Sequence, residues 1–120
     1  MKIEKFEEIE SWKEARDLTR NIYSITCRDK FNKDFGLKDQ IQRASVSIMA
    51  NIAEGFDSRS DQSFINFLNY AYRSSTEVQS LLYVSIDQKY LSQTEFDELY
   101  KQSEKIHGLI GGLIKYLKSK

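Results

Sequence analysis

Apolar residues recur along this 120-residue chain at three- and four-residue spacing, in four blocks separated by short polar stretches. That period puts each block's apolar residues on one face of a helix. In the first block Trp12, Ala15, Leu18, Ile22 and Ile25 form one stripe. Ser11-Trp12-Lys13-Glu14 has the form of a capping box, in which the serine oxygen accepts an orphan N–H and the glutamate reaches back to the cap. The first helix is therefore predicted to start at Ser11. The polar stretch 29–36, with Asn32, Asp34 and Gly36, reads as a loop. A second helix is predicted over 37–54, with Leu37, Ile41, Ala44, Ile48 and Ile52 as its core stripe and Gly55 as its terminator. From Ala44 to Ala53 it carries no charged residue on any face. Such a helix is buried on most sides, which predicts a central position or a covered outer face.

A short link over 56–60 offers Ser58 or Ser60 as the next cap. The third helix is predicted to run to about Asp87. Its residues Phe64, Leu68, Ala71, Ser75, Val78, Leu82 and Ser85 alternate by four and three, the seam of a bundle helix. Phe67, Tyr70, Tyr72, Leu81 and Tyr83 add bulk away from that seam. Ser92-Gln93-Thr94-Glu95 is a second capping box and opens a fourth helix, whose seam is Phe96, Leu99, Ser103, Ile106, Ile110, Leu113 and Leu117. Acids early in it and lysines late complement its macrodipole. The last two helices should each be about 40 Å long at 1.5 Å per residue. The fold expected is all-α, an antiparallel up-down four-helix bundle forming a single domain over 1–120.

Composition supports long helices. Proline is absent and there are five glycines, few for a loop-rich or β-rich fold. Lysine plus arginine and aspartate plus glutamate number 18 each, so net charge gives no general pull toward nucleic acid or an anionic membrane. One cysteine, Cys27, excludes an internal disulfide and fits a reducing compartment. The N-terminal stretch from Met1 to Glu8 lacks the apolar run of a secretory signal, and no stretch approaches a membrane span. The expected location is cytoplasmic, with no membrane partner.

Chemistry-bearing patterns are few. Glu104-Lys105-Ile106-His107 has Glu-x-x-His spacing, but a di-iron bundle needs that pair twice and His107 is the sole histidine. It reads as a boundary residue half packed beside Ile106. Cys27, near the negative end of the first helix, reads as a small, semi-exposed or packed residue. No metal, cofactor, catalytic residue or small-molecule substrate is expected. Gly108, Gly111 and Gly112 each cost about 1 kcal/mol against alanine inside a helix. They fall off the seam, where glycine would let another subunit's backbone approach. Together with the apolar surplus of the second and third helices, they predict a homo-oligomer.

The stretch from Gln40 to Phe56, with its core Arg43-Ala44-Ser45-Val46-Ser47-Ile48-Met49-Ala50-Asn51-Ile52-Ala53-Glu54-Gly55, resembles the hallmark of the bacterial 23S rRNA intervening-sequence (S23) proteins. Trp12-Lys13-x-Ala15-Arg16-x-Leu18 is similar to that family's first-helix motif, and Phe64-x-x-Phe67-Leu68-x-x-Ala71-x-x-Ser74-x-x-Glu77 to its third. Met49 stands where relatives commonly have proline, which predicts a straighter second helix. Arg73 stands where many have glycine. The resemblance implies a four-helix bundle assembled as a homopentamer, without enzymatic activity. It also implies a likeness to a pentameric accessory protein of retroelements thought to bind nucleic acid. On this basis Asn51, Glu54, Ser74 and Glu77 are candidates for an interface or a structural motif. Asn51 would hydrogen-bond backbone or a neighbouring helix, and Glu54 would pair with Arg43, Arg59 or Arg73. RNA or DNA binding is the alternative function. Its candidate contacts are Arg43, Arg59 and Arg73, and separately the basic tail with Lys105, Lys115, Lys118 and Lys120.

Overall fold

The computed structural model describes residues 2–120; Met1, the first residue of the predicted domain and of the N-terminal stretch read above, lies outside them. A 3-10 turn, Phe6–Glu8, leads into α1 (Glu10–Thr26), a short α2 (Asp29–Lys33), α3 (Phe35–Asp57), α4 (Asp61–Asp87) and α5 (Gln93–Ser119). The four long helices are the four predicted from periodicity. Every seam residue of α4 is buried, and so is every seam residue of α5 except the half-buried Leu113. The bundle is 46 Å long, close to the helix length expected.

Side-chain pairs fix the direction of each helix. Gln40 meets Glu77 and Ser47 meets Ser74, so α3 and α4 are antiparallel. Ser75 with His107 and Tyr83 with Phe96 give the same result for α4 and α5. Thr19 with Ser45 and Gln42 with Thr26 do so for α1 and α3. Arg28 with Glu95 and Glu14 with Lys105 close the ring between α1 and α5. Around the bundle the order is α1, α3, α4, α5. Consequently α3 and α5 stand at opposite corners and run parallel. No helix among the described residues is long and apolar enough to cross a membrane.

Three local predictions need correction. First, α1 begins at Glu10, one residue before the predicted cap, and its N-cap Ile9 offers no side-chain bond. Ser11 lies inside the helix, 2% exposed, and its hydroxyl has no hydrogen-bond partner among the described residues. Glu14 reaches Lys105 at 3.2 Å instead of the cap. The apolar N-terminal segment explains this: Ile9 packs into the core and Phe6 meets Trp12 edge to face, which pulls the chain inward one residue early. Loss of a cap would destabilise, whereas loss of an unsatisfied buried hydroxyl relieves a cost of about 1 kcal/mol. Ser11→Ala is therefore expected to raise stability by about that amount, and a fall in a urea melt would restore the capping reading.

Second, the predicted loop contains α2, whose Phe31 is buried and stacks on Tyr90. Asp34 then caps α3 by accepting from the Leu37 N–H, so α3 starts at Phe35. Third, α3 does not stop at Gly55 but continues to Asp57. The left-handed residue at that end is Arg59, φ 65°, followed by the Ser60 cap of α4. Gly55 has another role. A Cβ there would lie 2.7 Å from the Phe67 Cβ and 2.9 Å from the Phe64 Cδ1, so glycine lets α4 approach α3.

The capping box of α5 is complete, with the Ser92 hydroxyl accepting from the Glu95 N–H and the Glu95 carboxylate accepting from the Ser92 N–H. The same carboxylate pairs with Arg28 at 2.7 Å. The Arg28 guanidinium and then the Ser92 N–H hold the Glu95 carboxyl down from 4.5 to about 2. A depressed carboxyl contributes stability above its unfolded pKa and loses it as pH falls through the folded one. Glu95→Gln should therefore cost about 1 kcal/mol at neutral pH. That difference should shrink between pH 4.5 and about 2, and a pH-independent difference in melting temperature would contradict it.

Candidate functional site

Asn51, Ser74 and Glu77, three of the four residues singled out for an interface or structural motif on α3 and α4, belong to polar contacts between the two helices. The Asn51 amide donates to the Ser47 carbonyl at 2.8 Å and to the Ser47 hydroxyl at 3.0 Å. That hydroxyl lies 3.0 Å from the Ser74 hydroxyl. Further along, Gln40 donates to Glu77 at 3.4 Å. Asn51 thus bonds backbone and, through Ser47, a neighbouring helix, as expected. The ladder satisfies half-buried polar groups and fixes the register of α3 against α4. Glu54 does not take the expected ion pair among the described residues: it is exposed, Arg43 pairs with Asp39 at 3.3 Å, and Arg73 sits 5.1 Å over the ring of Tyr70.

Beyond that ladder α3 presents a second periodic face. Asp39, Arg43, Val46, Ala50, Ala53 and Asp57 alternate by four and three and point away from the core. Val46 is 39% exposed, and Ala50 and Ala53 are half-buried. At the opposite corner the outer face of α5 carries Asp97, Lys101, Glu104, Gly108, Gly112 and Lys115, all exposed. No described residue lies within 4 Å of where a Cβ on Gly108 or Gly112 would stand, whereas one on Gly111 would meet Tyr72 at 3.5 Å. Among the described residues, therefore, no packing reason requires glycine at 108 or 112.

Counted across α4, the two faces match in height. Ser47 is level with Ser74 on α4, and its neighbour Ser75 is level with His107 on α5. Val46 thus stands at the height of Gly108, and Ala50 one turn on stands at that of Gly112. One turn toward the start of each helix Arg43 is level with Glu104, and another turn on Asp39 is level with Lys101. At the far end Asp57 is level with Lys118.

The residues read as nucleic-acid contacts do not form one patch. Arg43 and Arg73 flank the α3–α4 ladder, and Lys105 is drawn to Glu14 on the α1–α5 side. Arg59 and Lys120 share a depression of about 450 Å³ at the α3–α4 link with Glu4, Asp57 and Asp61. Lys115 and Lys118 are exposed on the last turns of α5 at that same end. Sequence reasoning missed a second basic group, Lys30 and Lys33 beside Phe35, because the stretch read as loop. Its signal was Phe31, an apolar residue in a polar run.

His107 is half-buried, as expected of a boundary residue. Its Nδ1 lies 2.7 Å from the Ser75 hydroxyl and its ring stacks on Tyr72 at 3.6 Å. Burial holds its pKa below the usual 6.5. No group of three or more His, Cys, Asp or Glu among the described residues is placed to hold a metal. Cys27 is exposed at the end of α1, its thiol 3.1 Å from the Ser24 carbonyl.

Comparison with known proteins agrees with this architecture. The family model described as "23S rRNA-intervening sequence protein" matches residues 7–112. A crystal structure of a protein with unknown function from the S23 ribosomal protein family of Bacteroides thetaiotaomicron is similar with a TM-score of 0.80 and 26% identity. The likeness covers 88% of this chain and 95% of that one. No curated protein matches the chain.

Proposed function

Because the chain belongs to the 23S rRNA-intervening sequence protein family, we propose that it is a non-enzymatic helical scaffold of the cytoplasm, one bundle domain per subunit, which assembles with copies of itself into a ring. One observation carries this reading: the outer faces of α3 and α5 complement each other at equal heights. A copy rotated about an axis parallel to the helices keeps every height. The α3 face of one subunit then lies against the α5 face of the next, with Asp39 beside Lys101, Arg43 beside Glu104 and Asp57 near Lys118 at the edge of the contact. Between these charged ends Val46 and Ala50 meet Gly108 and Gly112, where the absence of a Cβ admits a close approach.

The apolar centre supplies affinity, and the charged positions at each end fix register and exclude wrong pairings. The contact joins two different surfaces, so it is heterologous and closes into a ring when the rotation allows. Five copies is the count the family resemblance implies, and we favour it. In this arrangement the stretch of α3 without charge faces the core on one side and a neighbour on the other.

The test is mass in solution. Light scattering should give wild-type protein one mass, a multiple of the single chain that does not grow with concentration. Val46→Glu, which places a charge on the contact, should return the mass of one chain. A monomeric wild type would overturn the reading.

RNA or DNA binding, the second reading, draws on different residues once the helices are placed. Arg43 lies within the proposed contact. At the α3–α4 link three acids outnumber the two cations lining the depression. The opposite end of the bundle is better suited.

A further inference from the structure

Phe35 is the most exposed large apolar side chain among the described residues, at 75%. It is the first residue of α3, held there because Asp34 caps the helix and α2 turns the chain just before it. No described residue covers it. Beside it lies a shallow depression of about 590 Å³ lined by Lys30, Lys33, Asp34, Phe35, Gly36 and Tyr90. A second one, of about 270 Å³, shares Lys30 and Tyr90 and adds Arg28, Asp29, Phe31 and Lys89. The two form one continuous surface across α2, the first turn of α3 and the α4–α5 turn.

Its charge is not evenly matched. Four cations line it against two acids, of which Asp29 is exposed and Asp34 is engaged by the Leu37 N–H and the Tyr90 hydroxyl. Of the cations, Arg28 is taken by Glu95, while Lys30, Lys33 and Lys89 form no ion pair among the described residues. The floor is rigid, since Tyr90 stacks on Phe31 at 5.0 Å and its hydroxyl is tied to Asp34.

Lys89 adds an independent observation. Its φ is 63°. The Tyr90 N–H bonds the Ser85 carbonyl and the Lys89 N–H bonds the Ile86 carbonyl, the helix-ending motif whose left-handed position is ordinarily glycine. Lysine there carries a conformational cost that glycine would not. Asp29 on the same surface is also left-handed, φ 45°, so what is particular to Lys89 is the third free cation it brings there.

We propose that this end of the bundle binds single-stranded nucleic acid, with Phe35 stacking on a base and Lys30, Lys33 and Lys89 holding the adjoining phosphates. The inference deepens the nucleic-acid reading and does not require the ring. An exposed aromatic among unpaired lysines is the combination that single strands use: each base has a face to stack, and each phosphate has a charge to neutralise. A lone phenylalanine is too little to anchor a membrane surface, and an acidic peptide would not need it. Phe35 lies one turn before Asp39 on the α3 face, so the site is complete within one subunit and does not need the ring.

The experiment is fluorescence anisotropy with short labelled oligouridine and oligothymidine, titrated over a range of salt and alongside thermal melts. Binding of either oligonucleotide should weaken with salt, and the pair assigns the sugar. Phe35→Ala should weaken it about tenfold, the scale of one base stack, with an unchanged melt. Changing Lys30 and Lys33 to glutamine should lower the logarithmic salt slope by about 0.7 for each lysine. Lys89→Gly should weaken binding while raising the melting temperature, so unfolding cannot account for the loss. Unchanged binding by Phe35→Ala, or equal competition by polyglutamate, would overturn the proposal. Loss of the ring with binding retained would leave it standing.

Discussion

Gly55→Leu is expected to separate α3 from α4, with a loss of about 3 kcal/mol or more and a melting temperature lower by roughly 10 °C. A Cβ at 55 would stand 2.7 Å from the Phe67 Cβ. That atom sits one bond from the α4 backbone, so no rotamer change clears it and the helices themselves must part. They are pinned nearby by the Ser47–Ser74 contact and further along by Gln40 with Glu77, so parting strains the whole pair. Even Gly55→Ala is expected to lose about 1–2 kcal/mol, because overpacking exceeds the roughly 1 kcal/mol that alanine gains over glycine in a helix. The same change at Gly108, which meets open space, should gain about 1 kcal/mol. Both are best measured by urea melts in a Val46→Glu background, so that assembly does not enter. An alanine at 55 as stable as the glycine would show that α3 and α4 are not closely packed there.

The contrast between these glycines shows what the sequence could reveal. Periodicity found all four long helices and the full seams of α4 and α5, because a heptad of apolar residues has one sensible partner, the core. The Ser92–Glu95 box was legible because both of its bonds are local. Ser11–Glu14 has the same residue pattern but fails, since Ile9 and Phe6 pack inward and carry the chain into helix before the serine. Gly55 looked like a terminator because its partners, Phe64 and Phe67, lie on the next helix. Only the fold says that they meet it. Likewise α2 was hidden in a polar run whose one anchoring residue, Phe31, is buried against Tyr90 from the far side of the α4–α5 turn.

The candidate surfaces were legible in part. Asn51 and Ser74 were singled out, but the serine between them, Ser47, carries the link, and nothing in its type distinguishes it. The uncharged stretch of α3 and the glycines of α5 each suggested a covered face from composition alone. Their relation depends on height along the bundle, which needs two antiparallel registers, one across α3–α4 and one across α4–α5. The basic residues were spread by the fold because spacing along the chain says nothing about which end of the bundle each reaches.

The second large effect is on assembly. Val46→Glu and Gly112→Leu should each reduce the proposed ring to single chains, one by charging the α3 face and the other by filling the α5 face. Neither change touches the core: Val46 is 39% exposed and Gly112 faces open space. Each variant should therefore melt cooperatively as a folded monomer. Losing an apolar contact of this kind typically costs a few kcal/mol, enough to lower affinity by about a hundredfold or more.

Because the two faces differ, each variant keeps one of them intact. Mixing the two monomeric variants and measuring mass by light scattering decides whether the α3 and α5 faces meet. Dimers containing one of each should form, through the sound α3 face of Gly112→Leu and the sound α5 face of Val46→Glu, and nothing larger. A mixture that stays monomeric, or either variant dimerising alone, would contradict it.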